Sequence, residues 1–262
     1  MKILKKAPLS YYGGKQTMLR HILPLIPEHS TYTEAFAGGV AVLFAKEPCE
    51  LEVINDTNGE LINFYKVAKN CFRELKEEID GTIHSRDVHC LAGFIYNYPY
   101  FFEPVKRAWA VWTLSKMSYS SKLDGSFGYD VTGNSMPKKV CNSKSAFTQE
   151  LIERLDRVTI ENTDGIRLIA SRDSERAFHF IDPPYINTEM GHYTGSFANE
   201  DFLSLLEVLS QLKGKFMLTM FPNDDLERYI KKHKWKRVAI ERHISAARVN
   251  RRKQEEWITM NY

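Results

Sequence analysis

The pattern that most restricts how this chain can fold is an alternation of short apolar strands and amphipathic helices. It occurs at both ends of the sequence and is interrupted in the middle. Near the start, Thr33-Glu34-Ala35-Phe36 reads as a strand end, Ala37-Gly38-Gly39 as a tight turn, and Val40 to Lys46 as the beginning of a helix. Leu51 to Ile54 alternates in polarity and stops at Asn55-Asp56, as a second strand would. Leu61, Phe64, Tyr65, Ala68, Phe72, Leu75 and Ile79 then recur at helical spacing. The alternation resumes later with a strand over Ala177 to Ile181, a helix over Glu200 to Leu212 capped by Asn199, and a strand over Lys215 to Met220. A helix over Asp224 to His233 comes next, then strands over Trp235 to His243 and Glu256 to Tyr262. Strands linked by helices pair in parallel. The last two strands have no helix between them, so they pair antiparallel.

The middle differs in character. From Ser85 to Ser115 the sequence predicts two helices rich in aromatics, among them Phe94, Tyr96, Tyr98, Tyr100, Phe101, Phe102, Trp109 and Trp112. These aromatics are expected to form a core rather than a stacking platform. Tyr119 to Asn142 is rich in Ser, Gly, Lys and Asn, and Asp124-Gly125 and Thr132-Gly133-Asn134 are turn signals. The reading is an α/β core in two pieces, 1–59 and 158–262. A mainly helical insert, 60–157, carries a hairpin at about 118–142.

Composition excludes several classes. No apolar run approaches the roughly 18 residues of a membrane span, and the first residues lack a signal-peptide core, so a cytoplasmic protein is expected. Cys49, Cys71, Cys90 and Cys141 form no Cys-x-x-Cys pair, and the eight histidines form no His-Glu-x-x-His motif. No catalytic metal is expected. The net charge of +3 is too small to establish nucleic-acid binding. The basic residues are clustered, however: Lys138, Lys139 and Lys144; Lys231 to Arg237; and Arg248, Arg251, Arg252 and Lys253. Such runs are suited to phosphate, although most charge runs are solvated faces.

Four motifs carry chemistry. Asp182-Pro183-Pro184-Tyr185 comes directly after the strand 177–181, at the strand end where open α/β sheets bind ligands. Its carboxylate can accept from an amine, its prolines fix the backbone, and its tyrosine offers a face to a base. Phe36-Ala37-Gly38-Gly39 allows close approach of a ligand to the backbone, but the full Gly-x-Gly-x-x-Gly pattern is absent, against a nicotinamide enzyme. Asp56, about 20 residues on, is placed to hold a ribose or else to cap a helix. Tyr11-Tyr12-Gly13-Gly14-Lys15 combines an aromatic and a cation around two glycines, and by spacing alone is a turn before a helix.

In this order the motifs resemble the α-group, Dam-like (D12 class) DNA adenine-N6 methyltransferases. An aromatic-x-Gly-Gly-Lys comes first, then Phe-x-Gly-Gly, Asn-Asp, a variable insert, Asp-Pro-Pro-Tyr and the closing strand Glu255 to Tyr262. The resemblance covers roughly 7–67 and 158–262. It implies a Rossmann-like core with a mostly parallel seven-stranded sheet, an antiparallel last strand and an inserted target-recognition domain. It also implies S-adenosylmethionine as cofactor and double-stranded DNA as partner, with the protein a monomer or weak dimer. Tyr11 and Lys15 would then meet the methionine part of the cofactor. Phe36, Ala37 and Gly38 would pass beneath it, and Asp56 would hold the ribose. Asn162, Thr163 and Asp164 would border its adenine, and Asp182 would adjoin it. Asp182, Pro183, Pro184 and Tyr185 would be catalytic. Lys122, Lys138, Lys139, Arg248, Arg251 and Arg252 would approach DNA. Many members have Phe-x-Gly-x-Gly; here Val40 stands at the second glycine. The insert does not align with the GATC-specific members. Cytosine-N4 methylation needs the same acceptors, and a catalytically silent DNA-binding protein on this scaffold is the reading from another class.

Overall fold

The computed structural model describes residues 6–186, 197–243 and 253–262. Its strands are β1 (Thr31–Glu34), β2 (Leu51–Asn55), β3 (Val158–Glu161), β4 (Ala177–Ile181), β5 (Lys215–Met220), β6 (Lys236–His243) and β7 (Lys253–Met260). They form one seven-stranded sheet in the order β3-β2-β1-β4-β5-β7-β6. β1 pairs in parallel with β2 and β4, and β4 with β5. β7 lies between β5 and β6 and is antiparallel to both. This is the sheet expected from the strand-helix alternation, with the last strand reversed.

The chain divides into two compact units. One comprises 25–37, 49–57 and 163–262; the other comprises 1–24, 38–48 and 58–162. In the first, Phe202, Leu205, Leu206 and Leu209 of the helix Asn199–Gln211 bury against Ile181, Phe216, Leu218 and Trp257. Every residue of β4, Ala-Phe-His-Phe-Ile, is buried, as befits a central parallel strand covered on both faces. The odd member is His179. Its Nδ1 pairs with the Thr33 hydroxyl at 2.8 Å, and burial holds its pKa below the ordinary value, so it sits in the core as a neutral ring. The helix Asn199–Gln211 begins one residue before the expected start. The Asp201 carboxylate, rather than Asn199, closes its first turn by accepting from the Ala198 N–H at 2.7 Å.

In the second unit the helix Pro104–Met117 is buried continuously from Ala108 to Met117. It is packed against the helices Gly59–Asn70, Phe72–Gly81 and Arg86–Asn97. A proline at its first position costs no hydrogen bond. The run expected as a single helix over 61–79 breaks at Cys71, and Phe72 beyond the break stacks on Phe147 at 5.4 Å. The aromatic stripe does not form one core. Trp109 and Trp112 are buried, and the Trp109 indole donates to Thr82 Oγ1 at 2.7 Å. Phe94, Tyr98, Tyr100 and Phe101 are exposed, because they occupy the outer face and the end of Arg86–Asn97 and the turn after it.

The segment 118–142 also departs from a hairpin. A single antiparallel bridge joins Ser118 to Phe127, closing a tight reversal in which Ser120 and Ser121 are left-handed. Residues beyond Asn134 form the helix Ser135–Ala146. The Asp130 carboxylate accepts from the Ser135 hydroxyl and from the Met136 N–H, and Pro137 falls in the first turn, so both favour a helix start over a second strand. Among the described residues, no helix is long and apolar enough to cross a membrane.

Candidate active site

Asp182 comes immediately after the last residue of β4, at the carboxyl edge of the sheet. One of its oxygens accepts from the Thr219 hydroxyl of β5 at 2.7 Å. Parallel pairing sets Ile181 beside Leu218, which brings Thr219 level with Asp182. Pro183 is buried and Pro184 half-buried. The Tyr185 hydroxyl donates to Glu256 Oε1 at 2.7 Å, and its ring meets Phe221 edge-on at 4.4 Å between centroids. Desolvation, then the Asp182 and Glu256 carboxylates, push the Tyr185 phenol well above its ordinary range. It is therefore a protonated donor, pinned at its polar end to β7 and along its ring to Phe221.

The same unit holds the neighbouring strand ends together through Asn55. Its amide donates to Ala35 O at 2.9 Å and Thr163 O at 3.0 Å, and its carbonyl oxygen accepts from Thr163 N at 2.8 Å. Ala37 N in turn donates to Asn55 O at 2.8 Å. One buried side chain thus fixes the approach to Phe36-Ala37, the segment ending at Asp56, and the loop Thr163-Asp164. Gly165 is required by this packing, since a Cβ there would meet the Phe36 ring at 2.9 Å and Ala35 O at 3.0 Å. Phe36 also contacts Phe197 edge-on at 5.7 Å. Asp56 is half-exposed. Asp164 caps the helix Gly165–Ser171 by accepting from Arg167 N at 2.8 Å, so this carboxylate already has a structural partner.

The other unit carries Tyr11, Lys15, Gly38 and Asn162. Gly38 has φ +48°, and a Cβ on it would meet the Tyr11 ring at 3.0 Å, so the aromatic lies against the glycine turn. The Tyr65 hydroxyl donates to Gly38 O at 2.6 Å and braces the turn from its other side. Tyr11 to Gly14 form a closed turn, with Gly14 N donating to Tyr11 O at 3.0 Å and Gly13 at φ +74°. Lys15 is buried and its amine donates to Gly13 O at 2.9 Å. Asn162 is exposed. Val40, at the position where many Dam-like enzymes have glycine, is itself left-handed at φ +47° and fully buried. The turn keeps its conformation although the residue lacks glycine's freedom.

Taken separately, the two units carry groups of the kinds that suit a methyl-sulfonium cofactor bearing a carboxylate, a ribose and a purine. One has a buried ammonium and an aromatic laid on a bare glycine backbone. The other has an acid at a strand end and an aromatic packed on glycine. The residues fit such a group. Among the described residues, no three His, Cys, Asp or Glu side chains gather as a metal site. Of the cations expected near DNA, Lys138 and Lys139 are exposed on the helix Ser135–Ala146, and the Lys122 amine stands 4.5 Å from the Tyr12 ring centroid. Arg248, Arg251 and Arg252 lie outside the described residues, as does most of the basic loop 245–253.

Residues 11–244 match the family described as D12 class N6 adenine-specific DNA methyltransferase. The chain belongs to this family. Its activity is therefore methylation of adenine in DNA, and cytosine-N4 methylation is set aside. Among curated proteins it is similar to the type II methyltransferase M1.LlaDCHI of Lactococcus lactis subsp. cremoris, with 29% identity over 237 residues, 80% of this chain and 78% of that one. It is also similar to the modification methylase StsI of Streptococcus sanguinis, with 21% identity over 248 residues. That match takes in 82% of this chain but only 35% of the relative, so the chain spans about a third of StsI.

Three residues of this candidate site escape sequence reasoning. Thr219 and Glu256 are polar side chains within strands that otherwise read as core, and both are fully buried. A polar residue on the core face of a strand is the signal available for each. Asn55 stands in plain view beside Asp56, where the acid has the more obvious ligand chemistry.

Proposed function

We propose that this D12-class enzyme moves a methyl group from S-adenosylmethionine to N6 of an adenine flipped out of double-stranded DNA, at a defined site. When bound, the sulfonium supplies an activated methyl. Tyr11 and Lys15 hold its methionine part, and Phe36, Ala37 and Gly38 run beneath it. Asp56 holds the ribose hydroxyls, while Asn162, Thr163 and Asp164 border the purine. Asp182 and the Pro183 carbonyl would accept hydrogen bonds from the amine and direct its lone pair; methyl transfer would leave S-adenosylhomocysteine, with the surplus amine proton lost to solvent. Pro184 keeps that carbonyl in place, and Tyr185 stacks on the extruded base. Positioning and preorganised acceptors account for catalysis without a metal. Lys122, Lys138, Lys139, Arg248, Arg251 and Arg252 contact DNA, chiefly its phosphates, which set register and leave sequence readout to other groups. The insert 60–157 is the target-recognition region and 1–59 with 158–262 the catalytic core. The kinship with type II and modification methylases supports a role in restriction-modification. On this reading the enzyme works in the cytoplasm, as a monomer or weak dimer.

The observation that carries this reading is the Asp182 carboxylate at the end of β4, held by Thr219 beside a Tyr185 anchored to Glu256. Asp182→Ala is expected to abolish incorporation of labelled methyl into DNA while leaving the melting temperature within a few degrees of the parent. Retained incorporation would remove Asp182 from the mechanism.

A further inference from the structure

Lys116 is the one buried lysine on the helix Pro104–Met117, 5% exposed in the last turn. Its amine donates to Ser10 Oγ at 3.2 Å. Lys6 and Lys139, both exposed, lie near enough to act on its charge. Lys122 stands over Tyr12 at 4.5 Å. Lys116 and Lys122 thus bracket the same segment, Ser10 to Tyr12, with Lys6 and Lys139 at the rim. Among the described residues, none of these lysines is paired with a carboxylate. Of the acids on the helices packed around Pro104–Met117, Glu60 pairs with Arg107, Glu78 with Lys106 and Asp80 with Lys76. His89 pairs with the Ser118 hydroxyl at 2.9 Å and is held below the ordinary histidine range by burial, then by Arg86 and His84. A cluster of like charges around a desolvated amine is unfavourable by itself and becomes favourable when an anion enters.

We propose that Lys116 is the floor, and Ser10, Lys6 and Lys139 the rim, of a binding site for a DNA phosphodiester. The site rests on the double-stranded substrate proposed above, and adds to the basic residues already assigned a buried cation that the charge pattern does not single out. A polyanion suits it better than a small carboxylate, because the exposed lysines extend the positive field across the surface beyond the buried amine.

The site has a proton signature. Desolvation, then Lys139 and Lys6, lower Lys116 to about 7. A phosphate beside it favours the charged form and raises it again. Binding therefore takes up a proton above pH 7 and none well below it. Lys139 is also lowered by burial, whereas neutral His89 does not titrate in that window.

The test is anisotropy of a fluorescein-labelled duplex of mixed sequence, titrated over salt and from about pH 6 to about pH 9, with cofactor affinity measured separately. The parent should lose up to about tenfold in affinity per pH unit above about 7. Lys116→Met should remove that pH dependence and reduce the log-log salt slope by about 0.9, with cofactor affinity unchanged. Lys139→Gln should reduce the salt slope and keep a pH dependence moved to higher pH, because a charge that lowers Lys116 is gone, and it guards against misfolding of the buried variant. If Lys116→Met keeps both the slope and the pH dependence, the site is not there. If it loses cofactor affinity and keeps DNA affinity, the amine serves the cofactor and the proposal is overturned. If the parent itself does not bind the duplex, the double-stranded reading fails and the site falls with it.

Discussion

Val40 holds a left-handed backbone that costs a β-branched residue about 1–2 kcal/mol. Its buried side chain contributes about 1.5–3 kcal/mol, which outweighs that strain. Val40→Gly is therefore expected to destabilise by about 1 kcal/mol or less. Val40→Ala, which loses the side chain and keeps the strain, should be the less stable of the two by chemical denaturation. That order reverses the usual ranking of alanine and glycine. At Asp182, Thr219→Val removes the hydroxyl that fixes the carboxylate. Single-turnover methylation should slow by about 10- to 100-fold, with little change in cofactor affinity. Lys116 makes stability itself depend on pH. Its folded pKa of about 7 lies below that of an unfolded lysine, so the unfolded chain binds more protons between the two. Stability should rise as pH increases from about 7 toward 10, and be flat in this respect below 7; Lys116→Met should abolish the rise in thermal melts. At this scale Asp182 to Tyr185, Tyr11 and Gly38 were legible in the sequence, because each belongs to a local motif. Thr219, Glu256 and Lys116 were not, because their meaning comes from partners 37 to 106 residues away.

Among the elements, strands were easier to read than the insert. β4, β5 and β2 are short apolar runs ended by polar or proline residues, and period and punctuation agree there. The segment 118–146 misled because Asp124-Gly125 and Thr132-Gly133-Asn134 signal turns without specifying the next element. The decisive contact is Asp130 to the first turn of Ser135–Ala146, a cap placed several residues upstream. The split of the aromatic stripe has the same origin, since helical spacing predicts a face but not its partner. Asn55 shows how much one side chain can do between elements. It joins the end of β2 to Ala35 and to Thr163 by side-chain hydrogen bonds. Asn55→Ala leaves buried groups unsatisfied and should cost about 2–4 kcal/mol by calorimetry. Because it loosens the strand ends rather than the acceptors of the amine, it should raise KM for the cofactor more than it lowers kcat. Equal losses in both would mean that Asn55 acts on the chemistry instead.

For the molecule as a whole, alternation of strands and helices was enough to foresee a mostly parallel sheet with a reversed last strand, since topology depends on which connections can cross over. The extent of the two compact units was not foreseen, because the glycine turn and the segment after β3 are divided between them, at Ala37–Gly38 and Asn162–Thr163. Removing residues 253–262 should abolish both the cooperative unfolding transition of the sheet-bearing unit and methylation, as read by calorimetry and labelled-methyl incorporation. That prediction comes from the place of β7 between β5 and β6. Translation gives it a meaning in time. Asp182 and Tyr185 leave the ribosome long before the strand that separates β5 from β6 and carries Glu256. Nascent chains thus hold Asp182 and Tyr185 without the carboxylate that pins the tyrosine, which gains its anchor only when β7 is threaded between β5 and β6.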